Sequence, residues 1–263
     1  MDNTLGPWSD DIVFISEAPA PGRRQGGGWW RPAFRFGAGG VAGLLALFVT
    51  LGVVNAVRES RRERCAGQLK RIGLAFHEYH NAHGHFPAPS LARGDGTPLL
   101  SWRVALLPHL GHQSLYERFH RDEPWDSPHN RALLAEMPAV FACPGGAGER
   151  SGRTGYLVLV GPKSGPTSIN TPFEPARGVD IREITDGSSN TVLVIETDAP
   201  VPWTKPDDLH WSQGGSPPRL ASPHKGGANA LFADGATRFL KRTISLQVLL
   251  ALFTINGGEV IGA

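Results

Sequence analysis

The chain has 263 residues, 40% hydrophobic and 19% charged, a balance that supports a core of ordinary size rather than a disordered polypeptide. Twenty-six basic residues against 24 acidic give a net charge of +2, a balance that argues against a dedicated nucleic-acid binder, which needs a concentrated basic surface. Thirty-three glycines and 22 prolines favour turns over a helical bundle, and two cysteines exclude a disulfide-dense scaffold or a four-cysteine zinc site.

Residues 1–35, rich in Gly, Pro and Trp, have no periodic pattern and read as a disordered N-terminal tail. Four acids there (Asp2, Asp10, Asp11 and Glu17) balance Arg23, Arg24, Arg31 and Arg35. From Phe36 to Val57 no residue is charged, and Arg35 and Arg58 bracket the run. At about 1.5 Å per residue, a helix of that length crosses the roughly 30 Å hydrocarbon core, so 36–57 is expected to be a transmembrane helix. A cleaved secretory signal fits less well, because a long segment precedes the run. Six cations follow closely (Arg58, Arg61, Arg62, Arg64, Lys70 and Arg71), so the positive-inside rule taken alone keeps the C-terminal side in the cytoplasm.

The pattern then turns amphipathic. Cys65, Leu69, Ile72, Phe76 and Tyr79 recur at steps of three and four, which places them on one face of a membrane-proximal helix over 58–86, ended by Gly84 and Pro87. No proline interrupts Val41 to His85, so the span and this helix are expected to be continuous. Short helices follow in 99–110, at SLYERFH and at HNRALLAEMP. TGYLVLVG and NTVLVIET read as buried strands. NALFA and ATRFL read as a hairpin closed by Asp234-Gly235 in a two-residue type I′ turn. A last helix, SLQVLLALFT, precedes Gly257-Gly258 and a short EVI strand. Without repeating βα units, the order defines an α+β fold.

Seven blocks carry a resemblance: RCAGQLKRIGLAFHEYHNAHGHFP, SWRVALLPHL, LYERF…EPWDSPHN, VFACP, TGYLVLVG, ITDGSSNTVLVIE and HKGGANALFADGATRFL. In this order they resemble the planctomycete paralogous family known as domain of unknown function 1559, described as prepilin-like with a C-terminal His-x9-Asp-Gly signature. Here His224, Asp234 and Gly235 match that signature, and the resemblance covers about 58–263. It implies a pilin- or pseudopilin-like architecture, with a membrane helix continuing into a helix packed on a small antiparallel sheet. It also implies an inner-membrane protein, single-pass, whose C-terminal domain is extracytoplasmic, against the charge count. Typical members begin the apolar run with Gly-Phe-Thr-Leu-Ile-Glu. This chain reads RPAFRFGAGGVAGLL there, without the glutamate, which fits a permanently anchored relative that does not polymerise.

Among candidate sites, His77, His80, His83 and His85 crowd into nine residues. His77 and His80 share a helical face and are metal-ligand candidates. The plainer role, helix-end histidines bonding carbonyls and packing on Tyr79, is preferred, and no metal or cofactor is assigned. Asp186 and Asp234 could serve calcium, although Asp-Gly turn chemistry explains them equally well. His224 with Asp234 suggests acid–base work, but no nucleophile elbow accompanies them, and His224 is read as anchoring the loop that enters the hairpin. No catalytic residue is assigned. The glycine-rich stretches lack the context of a phosphate loop. If the domain is exported, Cys65 and Cys143 can pair. Trp102, Trp125, Trp203 and Trp211 are weighed between core packing and a carbohydrate surface. The expectation is a non-enzymatic, membrane-anchored envelope protein acting in surface assembly or secretion, with the bilayer and other envelope or pilin-like proteins as partners and no nucleic acid. The alternative is a membrane-tethered module that binds extracytoplasmic solutes or carbohydrates.

Overall fold

The computed structural model describes residues 12–13, 38–144, 152–161, 170–174, 177–211 and 220–258, with the backbone alone for 12–13 and 38–46. Its dominant element is α1 (Ala38–His83), a single helix of 46 residues, about 69 Å long. The absence of proline lets it run on, and Gly84 stops it. Gly84 adopts a left-handed φ of 80° and its amide donates to the His80 carbonyl, an ending that only glycine adopts cheaply. Side chains of 36–46, the first half of the expected span, lie outside the described residues. Among those described, no helix is long and apolar enough to cross a membrane. Leu47, Phe48, Val49, Leu51, Val53, Val54 and Val57 are all exposed.

The lower half of α1 behaves differently. Cys65, Leu69, Ile72 and Phe76 are fully buried, and Tyr79 packs at the edge of the same core. Burying each large apolar side chain is worth about 1.5–3 kcal/mol, so this face fixes the helix to the domain. Gly73 lets the helix approach closely, since a Cβ there would sit 2.7 Å from Leu231 Cδ1.

The chain next forms the hairpin β2 (Ser90–Ala92) and β3 (Pro98–Ser101), then α2 (Trp102–Ala105), α3 (Gln113–Arg118) and α4 (Pro128–Ala132). A 3-10 turn at Ala139–Phe141 leads to Cys143. Beyond it come β4 (Arg153–Leu157), β5 (Leu159–Val160), β6 (Phe173–Glu174), β7 (Arg177–Gly178), β8 (Val192–Pro202), β9 (Leu209–His210), β10 (Gly227–Phe232), β11 (Thr237–Lys241) and α5 (Leu246–Ala251). With Ile12–Val13 as β1, the principal sheet has the order β1-β11-β10-β8-β4, antiparallel throughout. A second set, β7-β6-β5-β9, includes parallel pairings of β5 with β6 and β9, which a purely antiparallel expectation does not include. The rest of the expected N-terminal tail and the final EVI lie outside the described residues.

The principal sheet is buried on both faces. Leu231 joins the core shared with α1, while Ala228, Ala230 and Phe232 join the core beneath Leu249, Leu252 and Phe253. This is the period-two alternation of a strand, seen on a central one. The α1 core is aromatic: Phe76 lies 5.2 Å from Trp102 and 5.9 Å from Phe86 and Phe173, centroid to centroid.

The hairpin between β10 and β11 departs from the expected turn. The Gly235 amide donates to the Phe232 carbonyl, so Ala233 and Asp234 are the central residues, and Gly235 follows at φ 81°. The Ala236 amide, which a turn centred on Asp234-Gly235 sends to the Ala233 carbonyl, goes to Asp234 Oδ1 instead. The aspartate side chain thus competes successfully for the backbone donor, and the loop gains a residue.

Candidate functional site

Four side chains from four separate elements meet where α1 enters the domain. Cys65 comes from α1, Cys143 from the segment after the 3-10 turn, Glu196 from β8, and His224 from the loop leading into β10. All four are buried, and one ligating atom of each lies within 4.8 Å of the others. The two sulfurs form a disulfide with Cα atoms 5.2 Å apart, between partners separated by 78 positions in the sequence. Closing a loop of that length stabilises by about 4.5 kcal/mol on the chain-entropy model. His224 Nε2 lies 3.5 Å from Cys143 Sγ and 3.4 Å from Glu196 Oε1.

Local bonding explains these positions. Ser222 Oγ accepts from the His224 amide and donates to the Gly227 carbonyl, which folds the loop back on the strand it enters. Glu196 Oε2 accepts from the Asn229 amide at 3.0 Å, whereas Oε1 has no hydrogen-bond partner among the described residues. Tyr156 stands beside them and donates to Gln68 Oε1 at 2.8 Å. Burial, with the charge of Glu196 adding to it, raises its hydroxyl well above the usual tyrosine value, so it stays a donor.

A cleft of about 630 Å³ opens above the cluster. Arg58, Arg61 and Arg62 of α1 line it together with His224, Lys225 and Arg242. Glu59, an acid on its wall, is paired with Arg62. The cleft is strongly cationic and lies next to the exposed apolar stretch 47–57 of the helix.

The two ends of the His-x9-Asp-Gly signature do not meet. β10 lies between them, six residues at about 3.3 Å each, so His224 and Asp234 form no acid–base pair. Asp234 spends its carboxylate on the Ala236 amide and on Arg238. Asp186 likewise accepts from the Gly257 and Gly258 amides and the Thr254 hydroxyl, fastening the C-terminal segment.

The histidines of α1 part company as well. His77 lies against Gly235, and burial, aided by His80, lowers its pKa, with the Ala233 carbonyl and Asp234 opposing. His80 accepts from the Ile181 amide and stands 3.4 Å from Asp180. His83 stacks on Tyr79 and bonds its carbonyl; His85 bonds the Phe86 carbonyl. Trp102 and Trp203 are wholly buried, and their indoles donate to Asp208 and to the Leu134 carbonyl.

Glu196 and the buried pair Arg103–Asp208 belong to no catalytic or metal-binding motif in the sequence. Arg103 bridges Asp208 Oδ1, the Tyr156 carbonyl and Ser101 Oγ with no solvent exposure. A lone arginine inside the apolar stretch 99–110 was the available signal.

Fold and site together define an α+β domain carried on a long N-terminal helix, its interior tied to that helix by a disulfide that lies beside a buried histidine–carboxylate contact between β8 and the loop before β10. Residues 55–217 match the family model described as "Protein of unknown function (DUF1559)", and the chain belongs to that family. The match ends before His224, so the signature lies beyond the matched stretch. No curated protein matches the chain. No solved structure matches it.

Proposed function

We propose that this is a membrane-anchored envelope protein without enzymatic activity, whose pseudopilin-like domain α1 carries outside the cytoplasmic membrane. The observation that carries the reading is the contrast along one uninterrupted helix. Residues 65–76 bury their apolar face in the domain, while Leu47, Phe48, Val49, Leu51, Val53, Val54 and Val57 leave large apolar side chains exposed. Such a surface suits hydrocarbon, and the uncharged run continues back to Phe36. Arg58, Arg61 and Arg62 then fall at head-group level, where cations bind anionic lipid. Surface assembly or secretion is the role that fits a domain with no assembled catalytic constellation among its described residues.

The test is an alkaline wash of membranes from cells expressing the full chain and a chain lacking 36–57. The full chain stays in the pellet and the shortened one is released. A full chain that washes off contradicts the anchor.

A second reading, a tethered solute-binding module, draws on the cleft, whose volume falls within the range of ligand pockets. Its cationic lining suits an anionic solute better than a neutral carbohydrate.

A further inference from the structure

The cluster of Cys65, Cys143, Glu196 and His224 holds more chemistry than a disulfide needs. Two sulfurs, an imidazole nitrogen and a carboxylate oxygen are a zinc donor set. Bonds of about 2.0–2.3 Å to a tetrahedral ion place neighbouring ligand atoms about 3.3–3.8 Å apart. His224 Nε2 already stands 3.5 Å from Cys143 Sγ and 3.4 Å from Glu196 Oε1, two edges of such a tetrahedron. An independent observation points the same way. Glu196 Oε1 is buried, accepts no hydrogen bond among the described residues and sits within this group, while Oε2 is held by the Asn229 amide. A carboxylate oxygen left so is costly unless a cation or donor completes it. The held Oε2 is the outer-sphere bond that orients a ligating carboxylate.

We propose that reduction of the Cys65–Cys143 disulfide converts this cluster into a closed, four-coordinate zinc site. A dithiol reductant donates two electrons and two protons. The S–S bond breaks, Cys65 and Cys143 become thiols, and the reductant leaves as its own disulfide. On binding Zn²⁺ the two thiols release two protons to solvent and ligate as thiolates. His224 gives the lone pair of Nε2, and Glu196 gives Oε1. With all four positions taken by protein, the site is structural: it holds α1, β8 and the loop before β10 together when the covalent link is absent. The chain thus keeps one tether in two redox states, a disulfide when oxidised and a metal when reduced.

The test uses the full chain in detergent with Co²⁺ as the probe, before and after reduction. The reduced chain takes up one cobalt ion per molecule, with thiolate-to-cobalt charge-transfer bands and tetrahedral visible bands; the oxidised chain takes up none. Cys143→Ser abolishes those bands, and His224→Gln and Glu196→Gln weaken binding by at least about tenfold. Because a variant can fail to fold, the wild type supplies a second readout: Zn²⁺ slows alkylation of both thiols in the reduced chain, and a chelator restores the rate. A reduced chain that is folded by circular dichroism yet binds no stoichiometric metal overturns the proposal. So does metal uptake that His224→Gln and Glu196→Gln leave unchanged.

Discussion

Nε2 of His224 stands 3.4 Å from Oε1 of Glu196, with both side chains almost wholly withdrawn from solvent. The histidine of the family signature is thereby tied to the middle of β8 rather than to the Asp-Gly at the far end of its own motif. Removing it leaves a buried carboxylate oxygen with no imidazole beside it. His224→Ala is expected to lower the unfolding free energy by about 3 kcal/mol, read from denaturant titration. His224→Ala combined with Glu196→Gln should recover part of that loss, because the orphaned charge is gone. Strict additivity of the two changes is the opposite result.

The Arg103–Asp208 pair fastens α2 to the strands behind it. Burial lowers the Arg103 pKa and raises that of Asp208, while their mutual attraction opposes both shifts. Replacing one partner strands the other. Asp208→Ala should cost about 3–5 kcal/mol, and Arg103→Met with Asp208→Leu should cost much less. Thermal melts of the three variants separate these outcomes.

Glycines in this chain differ sharply in what they permit. A Cβ at Gly178 would fall 1.5 Å from the Phe86 carbonyl oxygen, where backbone must move. Gly178→Ala is expected to cost more than about 3 kcal/mol, beyond ordinary overpacking. Gly73→Ala crowds the end of the Leu231 side chain, with the Gly235 backbone at an ordinary 3.6 Å, and should cost about 1 kcal/mol. Equal losses in the two variants contradict this ranking.

His77 gives a pH dependence with a definite sign. Burial leads in holding its folded pKa below the unfolded value of about 6.5. The neutral form is therefore favoured in the fold. Its contribution to stability is complete above about pH 6.5, declines as pH falls below that, and levels off beneath the lowered folded value. His77→Gln should flatten this part of the stability profile, and an unchanged slope in the variant argues against it.

Much of the architecture was legible in residue spacing. The steps of three and four from Cys65 to Phe76 located the buried face of α1, because helical periodicity and core burial are the same constraint seen twice. The β-branched runs at 156–160 and 192–195 marked buried strands for the same reason. The turn at Asp234-Gly235 was located but mis-registered, since pairing alone does not reveal that Asp234 captures the Ala236 amide. The parallel pairings of β5 were not legible, because such short strands carry no periodic signal. Glu196 was hidden in a run that reads as ordinary strand. Its partners are 28 or more residues away in sequence, and only the fold brings them together.

The central claim is that α1 carries the domain out of the cytoplasm, and protease accessibility tests it most directly. Spheroplasts with the outer membrane removed are treated with protease, and a non-reducing gel of the same cells reports on Cys65 and Cys143. The account predicts digestion of the domain from outside the inner membrane and a linked pair of cysteines before digestion. A domain protected in spheroplasts, digested only after lysis and carrying two free thiols, would place it in the cytoplasm and contradict the account.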